Sequence, residues 1–439
     1  MFDRQLIDVV AVKLYAEYDA AFVQPDEYVT RGQHFHEEAL RLWVLENGQA
    51  NVANLQALLI LTLDSSWRGK DKFGVMLLTV ALQMNKDIPM VAGAGSDSLS
   101  DTARARTCAA WATHFIDVTC SIALLKVNSP IDSRLSFVPM LPDTNSFWTG
   151  RPLNHLSTQY RGNALFRERC ILTRLISDVN DLLFSKESVQ TASFEEDARQ
   201  LEGRLTAWYQ NLPSDIQYNK DLPAPIFDLH GNYLCVMLTL CATAERMILS
   251  PSSDSAAPAP NGNEASERRP DSPAVYWNTG TLQHATQAAT VVRDFRTTYG
   301  MKMTLAFVFQ CAVISSFTLI QYLNGSDELA AAPISPANTL TSPAAAFEET
   351  FRCVLGAATH VMIARGACRM IDRTMQMKQV AMPPRVTRMM AGIEQLTWQA
   401  SDLEHISSTY PNYGVLADST HGDSVEMERL LKEWEVMSL

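Results

Sequence analysis

The chain has 439 residues, with 36 Lys and Arg against 48 Asp and Glu, and a formal net charge of -12. That balance excludes a strong polyphosphate binder, because most of the surface would repel duplex DNA. The length is sufficient to bury a large core and to hold two helical subdomains.

Hydrophobic periodicity predicts an all-α fold, a large multi-helix bundle of antiparallel helical hairpins with two disordered surface loops. Gln5 to Tyr18 reads as a first helix. The opening MFDRQLIDVV is interrupted by charges and lacks the apolar core of a signal peptide, so secretion is not expected. Phe35, Ala39, Leu40, Leu42 and Trp43 mark a second helix. Val52 to Leu63 marks a third that is too apolar to be exposed. A charged turn, Trp67 to Lys72, leads into Phe73 to Met84. Gly93 to Ser96 (GAGS) lacks the strand, the further glycines and the Lys-Ser/Thr of a nucleotide loop.

The stretch Arg104 to Pro130 organises the chain. Cys108, Trp111, Phe115, Val118, Ile122 and Leu125 recur at steps of three and four along one helical stripe. Alanines and further aliphatic residues cover most of the other faces, as in a helix buried on several sides. Asp117 is the exception, because a buried carboxylate needs a cation or several hydrogen bonds. Its partner is expected from elsewhere in the fold: Arg106 lies three turns back, roughly 16 Å away.

A Pro- and Asn-rich loop is expected from Asn128 to about Leu156, then helices over Phe166 to Phe184, Glu195 to Gln210 and about Leu229 to Leu249. Pro251 to Ser272 has too little apolar surface to order itself. Helix resumes from Thr281 to Arg296. Thr304 to Leu323 has no charge over a bilayer-spanning length, but five polar residues interrupt it and no basic cluster flanks it. A central core helix is therefore expected there, and no membrane association. Phe347 to Met377 reads as one last long helix, with a short one after Pro383 and Pro384. The organisation is a core half at 1–249, a disordered loop at 250–275, a helical continuation at 276–323, a flexible loop at 324–345, C-terminal helices at 346–400 and a tail at 401–439. In the tail, Met427, Leu430, Leu431 and Trp434 share one face of an acidic helix, the pattern either of a terminal helix packed onto its own domain or of a docking or activation helix.

Eight cysteines are scattered through apolar segments without a CxxC pair, which points to reduced core residues of an intracellular protein and to no metal site. No GxSxG or HExxH occurs. Asn180, Ser185 and Glu187 resemble the second magnesium motif of terpene synthases, yet the steps are five and two where the motif needs four and four, and no aspartate-rich partner run exists. No catalytic residue, no cofactor-binding residue and no enzyme activity is expected.

Four stretches in order carry a family resemblance. They are the Phe35 to Trp43 helix with Asn54 to Leu61 (NLQALLIL), then Leu82 to Asp87 (LQMNKD), then the Arg104 to Pro130 helix, and then Leu201, Leu205, Trp208, Leu212 and Pro213. Together they resemble the fungal-specific transcription factor domain, or middle homology region, of fungal zinc-cluster transcription regulators. Gln83, Val118 and Asn128-Ser129-Pro130 depart from the family's glycine, arginine and Gly-Arg-Pro. The resemblance implies a nuclear regulatory domain controlling transcription by RNA polymerase II, with Arg104, Arg106, Trp111, Phe115, Asp117 and Pro130 as its signature residues. It implies co-regulators or a small-molecule effector as partners, and DNA contact only through an N-terminal zinc cluster that this sequence does not contain. Zinc is expected only with such a cluster, and a homo-oligomer is compatible with the sequence. A stand-alone helical interaction or metabolite-binding protein is the alternative.

Overall fold

The computed structural model describes residues 30–90, 100–123, 128–130, 135, 147–149, 159–185, 193–249, 272–302, 304–323, 340 and 342–391, and the fold in them is all-α. Three helices come first: α1 (Gln33–Leu45), α2 (Val52–Trp67) and α3 (Asp71–Asp87). The Asn51 side chain starts α2 by accepting the Asn54 N–H, and Leu55, Leu58 and Leu61 of that helix are buried. α2 and α3 meet at Gly74, where a Cβ would stand 2.7 Å from Ser66 Oγ and 2.9 Å from the Thr62 carbonyl oxygen. Only glycine lets the two backbones come so near. α1 is tied to α2 by the buried carboxylate of Asp64, which meets His36 Nδ1 at 2.6 Å and Arg68 Nε at 2.7 Å.

α4 (Asp101–Ala123) stands between this group and the rest of the molecule. Ala109 and Ile116 join the core of α2 and α3, whereas Val118 and Ile122 join the larger core that follows. Trp111, 1% exposed, packs with Ala110, Leu135 and Cys170. Neighbours on several sides are why this helix is apolar nearly all round. Phe147–Thr149 (β1) and Gln159–Arg161 (β2) then form a short antiparallel pair.

The larger core is built from α5 (Gly162–Phe184), α6 (Phe194–Gln210), α7 (Ala224–Leu249), α8 (Pro273–Tyr299), α9 (Ala306–Ile320), α10 (Pro343–Ala358), α11 (Met362–Met377) and α12 (Pro384–Met390). α9 is buried from Phe307 to Ile320, the core position expected of the apolar 304–323 segment. Its 15 residues fall short of the roughly 20 that a bilayer span needs. Among the described helices α7 is long and apolar enough to cross a membrane, and 83% of that window is buried inside the body.

α7 also supplies what α9 lacks. The N-terminus of α9 has no cap of its own; Asp228 of α7 accepts the Phe307 N–H at 3.0 Å through Oδ1 and takes Arg169 Nη2 at 3.1 Å through Oδ2. A carboxylate there also meets the positive end of the helix dipole. One turn on, a Cβ at Gly231 would stand 3.0 Å from the Phe307 carbonyl oxygen.

Several boundaries differ from the sequence reading. α8 begins at Pro273, inside the stretch read as loop to residue 275, because Ser272 caps the Val275 N–H and proline suits a first turn. Ser342 and Pro343 start α10 in the same way, inside the loop read to residue 345. α7 begins at Ala224, a turn before Leu229.

The single helix expected over Phe347 to Met377 is two helices. The N–H groups of His360 and Val361 both bond the Ala357 carbonyl, and Val361 is extended at φ -124 and ψ 117. β-Branched Thr359 and Val361 hold helical geometry less well than the residues on either side. The expected Gln5 to Tyr18 helix, Gly93 to Ser96, the 401–439 tail and its helix with Met427, Leu430, Leu431 and Trp434 lie outside the described residues.

The α7–α9 approach leads to a test. Gly231→Ala is expected to lower the unfolding free energy by about 1 to 3 kcal/mol, since the backbones must separate to admit a methyl group. Urea unfolding midpoints measure this, and Gly203→Ala, with nothing within 4 Å of its Cβ position, is the control.

Candidate functional site

Of the residues that carry the resemblance, Arg104, Arg106, Trp111, Phe115 and Asp117 lie on α4. The Arg106 guanidinium is 1% exposed and donates to Asn85 Oδ1 at 2.7 Å, to the Asn85 carbonyl at 2.7 Å and to the Ile88 carbonyl at 2.8 Å. These acceptors belong to the C-terminal turn of α3 and the residue after it, so a cation satisfies carbonyls that no helical N–H can reach. Leu82 to Asp87 and the Arg104 to Pro130 helix, two separate stretches in the sequence, are thus partners.

Phe115 meets Phe307 edge to face at 5.3 Å, and Arg169 lies 5.7 Å above its ring. Arg104 is half-buried, and its charge opposes the upward push of burial on the Cys108 thiol. Pro130 is exposed.

Asp117 Oδ2 accepts the Ser129 N–H at 2.9 Å. The expectation placed its partner elsewhere in the fold; the donor is instead Ser129, beyond the end of α4 but within the same Arg104 to Pro130 stretch. Burial raises the Asp117 carboxyl above its ordinary range, with the Ser129 hydrogen bonds and the Lys86 charge pulling the other way. Asn180, from the magnesium-like motif, donates to the Val118 carbonyl at 2.9 Å, so its amide serves the α4–α5 contact.

None of these residues lines the cavity of about 770 Å³ between α6, α7 and α8. α6 turns Ala198, Leu201 and Leu205 toward the core and carries Arg199, Glu202, Thr206 and Tyr209 along the cavity. Tyr233 of α7 and Tyr276, Gln283, His284 and Gln287 of α8 complete the wall. The Tyr276 hydroxyl donates to Glu202 Oε2 at 2.5 Å, and the Arg199 guanidinium lies 4.2 Å from the Tyr276 ring centre. Arg199 also pairs with Glu195 at 2.9 Å.

Within this wall Tyr209 and Tyr233 stack at 4.1 Å, and behind them the fully buried His230 bridges Tyr209 to the Ile216 carbonyl, each at 3.0 Å. A carbonyl only accepts, so the imidazole proton sits on Nε2 and Nδ1 accepts from the Tyr209 hydroxyl. Burial lowers His230 to about 4 and pushes Tyr233 up to about 12, and it raises Tyr209 further. At neutral pH the histidine is uncharged and the phenols keep their protons. The wall therefore presents a cation, a carboxylate, phenols, three amides and an imidazole to a ligand, while no nucleophile in it is activated.

A second, mostly apolar cavity of about 120 Å³ lies against Leu63, Trp67, Cys120, Phe307 and Ile363, room for only a few water-sized groups. The sequence reading missed the residues of the larger cavity. Their trace is a polar stripe at helical steps, residues 199, 202, 206 and 209 on α6 and 276, 280, 283 and 287 on α8. Each stripe alone reads as a solvated face. No family model, curated protein or solved structure matches the chain.

The Asp117 geometry yields a signed expectation. A carboxyl raised on folding binds its proton more tightly in the native state, so its contribution is fully present below pH 3.8 and is lost as pH rises through the raised value. Asp117→Asn keeps an acceptor for Ser129 and removes the ionisation, so its stability relative to wild type should rise over that interval. Asp117→Ala should cost about 1 to 3 kcal/mol at pH 3.5, and less as pH rises through the raised value. Urea unfolding from pH 3.5 upward measures both.

Proposed function

We propose that the chain is the regulatory body of a fungal zinc-cluster-type transcription regulator, a nuclear helical domain that takes a small polar effector between α6, α7 and α8. The cavity carries this reading. Between α6, α7 and α8 a cleft of about 770 Å³ lies open beside converging polar groups, the character of a small-molecule site. Arg199 suits a carboxylate, Glu202 a cationic group, and the tyrosines a planar body.

The link to regulation runs through α6. It carries the Leu201, Leu205 and Trp208 pattern of the resemblance on one face and the cavity wall on the next. Trp208 Nε1 donates to Glu168 Oε2 at 2.9 Å, which joins α6 to α5. An effector that binds better to one spacing of α6 and α8 would bias that arrangement. Co-regulators would read the result, and DNA would be reached through a zinc-cluster module. No catalytic role is part of this reading.

Thermal unfolding of the purified chain with aromatic amino acids and aromatic carboxylic acids tests it. At least one is expected to raise Tm, by the equivalent of about 2.7 kcal/mol at 100 times its Kd, with the shift lost in Arg199→Ala. Fused to an unrelated DNA-binding module, the chain should alter reporter transcription when the same compound is supplied. No stabilising compound, or an equal shift in Arg199→Ala, would overturn the effector site. A shift without a transcriptional response would make the chain a stand-alone metabolite-binding protein.

A further inference from the structure

We infer that Glu202, Cys241 and His284 form a binding site for a divalent zinc-class cation in the wall of the α6–α8 cavity. One ligand comes from each of three helices, α6, α7 and α8, and the ligand atoms lie within 4.8 Å of one another. Helices fixed by a packed core hold such a set more firmly than a loop would.

The chemistry of the three is specific. Thiolate, imidazole and carboxylate are the donor types zinc takes, with bonds of about 2.0 to 2.3 Å, so the three ligand atoms would draw in around the ion. Calcium and magnesium prefer oxygen ligands throughout, and a thiol with an imidazole selects against them. Glutamate and thiolate together balance the charge of the ion.

The surroundings supply what metal ligands need. Tyr276 donates its hydroxyl proton to Glu202, which orients the carboxylate. His284 Nδ1 lies 3.3 Å from Gln287 Oε1; that amide oxygen only accepts, so Nδ1 carries the proton and Nε2 is left with its lone pair. Cys241 is fully buried, and it is reached across Gly280, where a Cβ would stand 3.5 Å from its sulfur. A larger side chain on α8 at that position would crowd the thiol. Without a cation, burial keeps the thiol protonated and the imidazole neutral. On binding, the Cys241 S–H bond breaks, its proton leaves to solvent and the sulfur lone pair forms the metal bond.

Three protein ligands leave a fourth tetrahedral position. Glu202 and His284 both line the cavity, so that position opens into it. A water or an anionic group of a ligand would complete the shell there, as at zinc sites that keep an exchangeable position. The inference goes beyond the effector reading and does not depend on it, since metal binding is read without any organic ligand.

Titration of the purified full chain with cobalt(II) is the test. A thiolate-to-cobalt charge-transfer band with tetrahedral visible absorption is expected; zinc should abolish it and magnesium should not. Cys241→Ser should lose the band, while Cys353→Ser, at a buried thiol away from the cavity, should keep it. Glu202→Gln and His284→Gln should weaken cobalt binding by more than the roughly 10- to 100-fold typical of an outer-shell change. Should a variant fail to fold by circular dichroism, X-ray absorption of the zinc-loaded wild-type chain decides. One sulfur with nitrogen and oxygen neighbours supports the site; a shell without sulfur, or with two or more, overturns it. No sulfur band at saturating cobalt, or an unchanged band in folded Cys241→Ser, overturns it as well.

Discussion

A buried arginine holds the first helices to the rest of the molecule. Arg106 sits among the carbonyls of Asn85 and Ile88 with the Asn85 side chain, at the negative end of the α3 dipole. Placing a guanidinium out of water is costly, and it persists only where its donors are met. Here they are met by carbonyls that would otherwise be orphaned at a helix end. Eleven residues on, Asp117 takes the Ser129 N–H, which fixes the chain as it leaves α4. Together the two anchors set α4 between the α2–α3 pair and the larger core.

From α4 a series of directional bonds leads toward the cavity. Asn180 of α5 donates to the Val118 carbonyl of α4, and Ser177 of α5 accepts from Asn128, beyond the end of α4, so polar contacts sit inside an apolar interface. Glu168 of α5 receives the Trp208 indole N–H and positions α6. α6 in turn forms one wall of the cavity, and α7 supplies both the opposite Tyr233 and the Asp228 cap that seats α9. The same set of bonds that closes the core therefore leaves the space between α6 and α8. Buried polar groups of this kind specify one packing of the helices among the many that apolar contacts alone would allow.

The helices were legible where apolar residues recur at steps of three and four, and α4 was recognisable as central because its apolar surface has no single face. Asp117 was legible as buried but its partner was not, since nothing in the sequence marks the Ser129 N–H as a donor to it. The break at Thr359 to Val361 was hidden because apolar periodicity runs on through it while the backbone turns. The starts of α8 and α10 were written in Ser-Pro pairs, whose capping chemistry is local, but each pair lay at the edge of a stretch whose composition read as loop. Least visible was the cavity. Arg199, Glu202, Tyr276 and His284 look like solvated positions on two separate amphipathic helices, and only tertiary packing sets them opposite one another.

The most direct measurement is a double-mutant cycle on Arg106→Met and Asn85→Ala, followed by urea unfolding. If the two best-marked stretches of the sequence are halves of one buried interaction, a coupling energy of about 1.5 to 3 kcal/mol is expected, the range of a hydrogen bond to a charged group. Additivity of the two substitutions to within about 0.5 kcal/mol would contradict it.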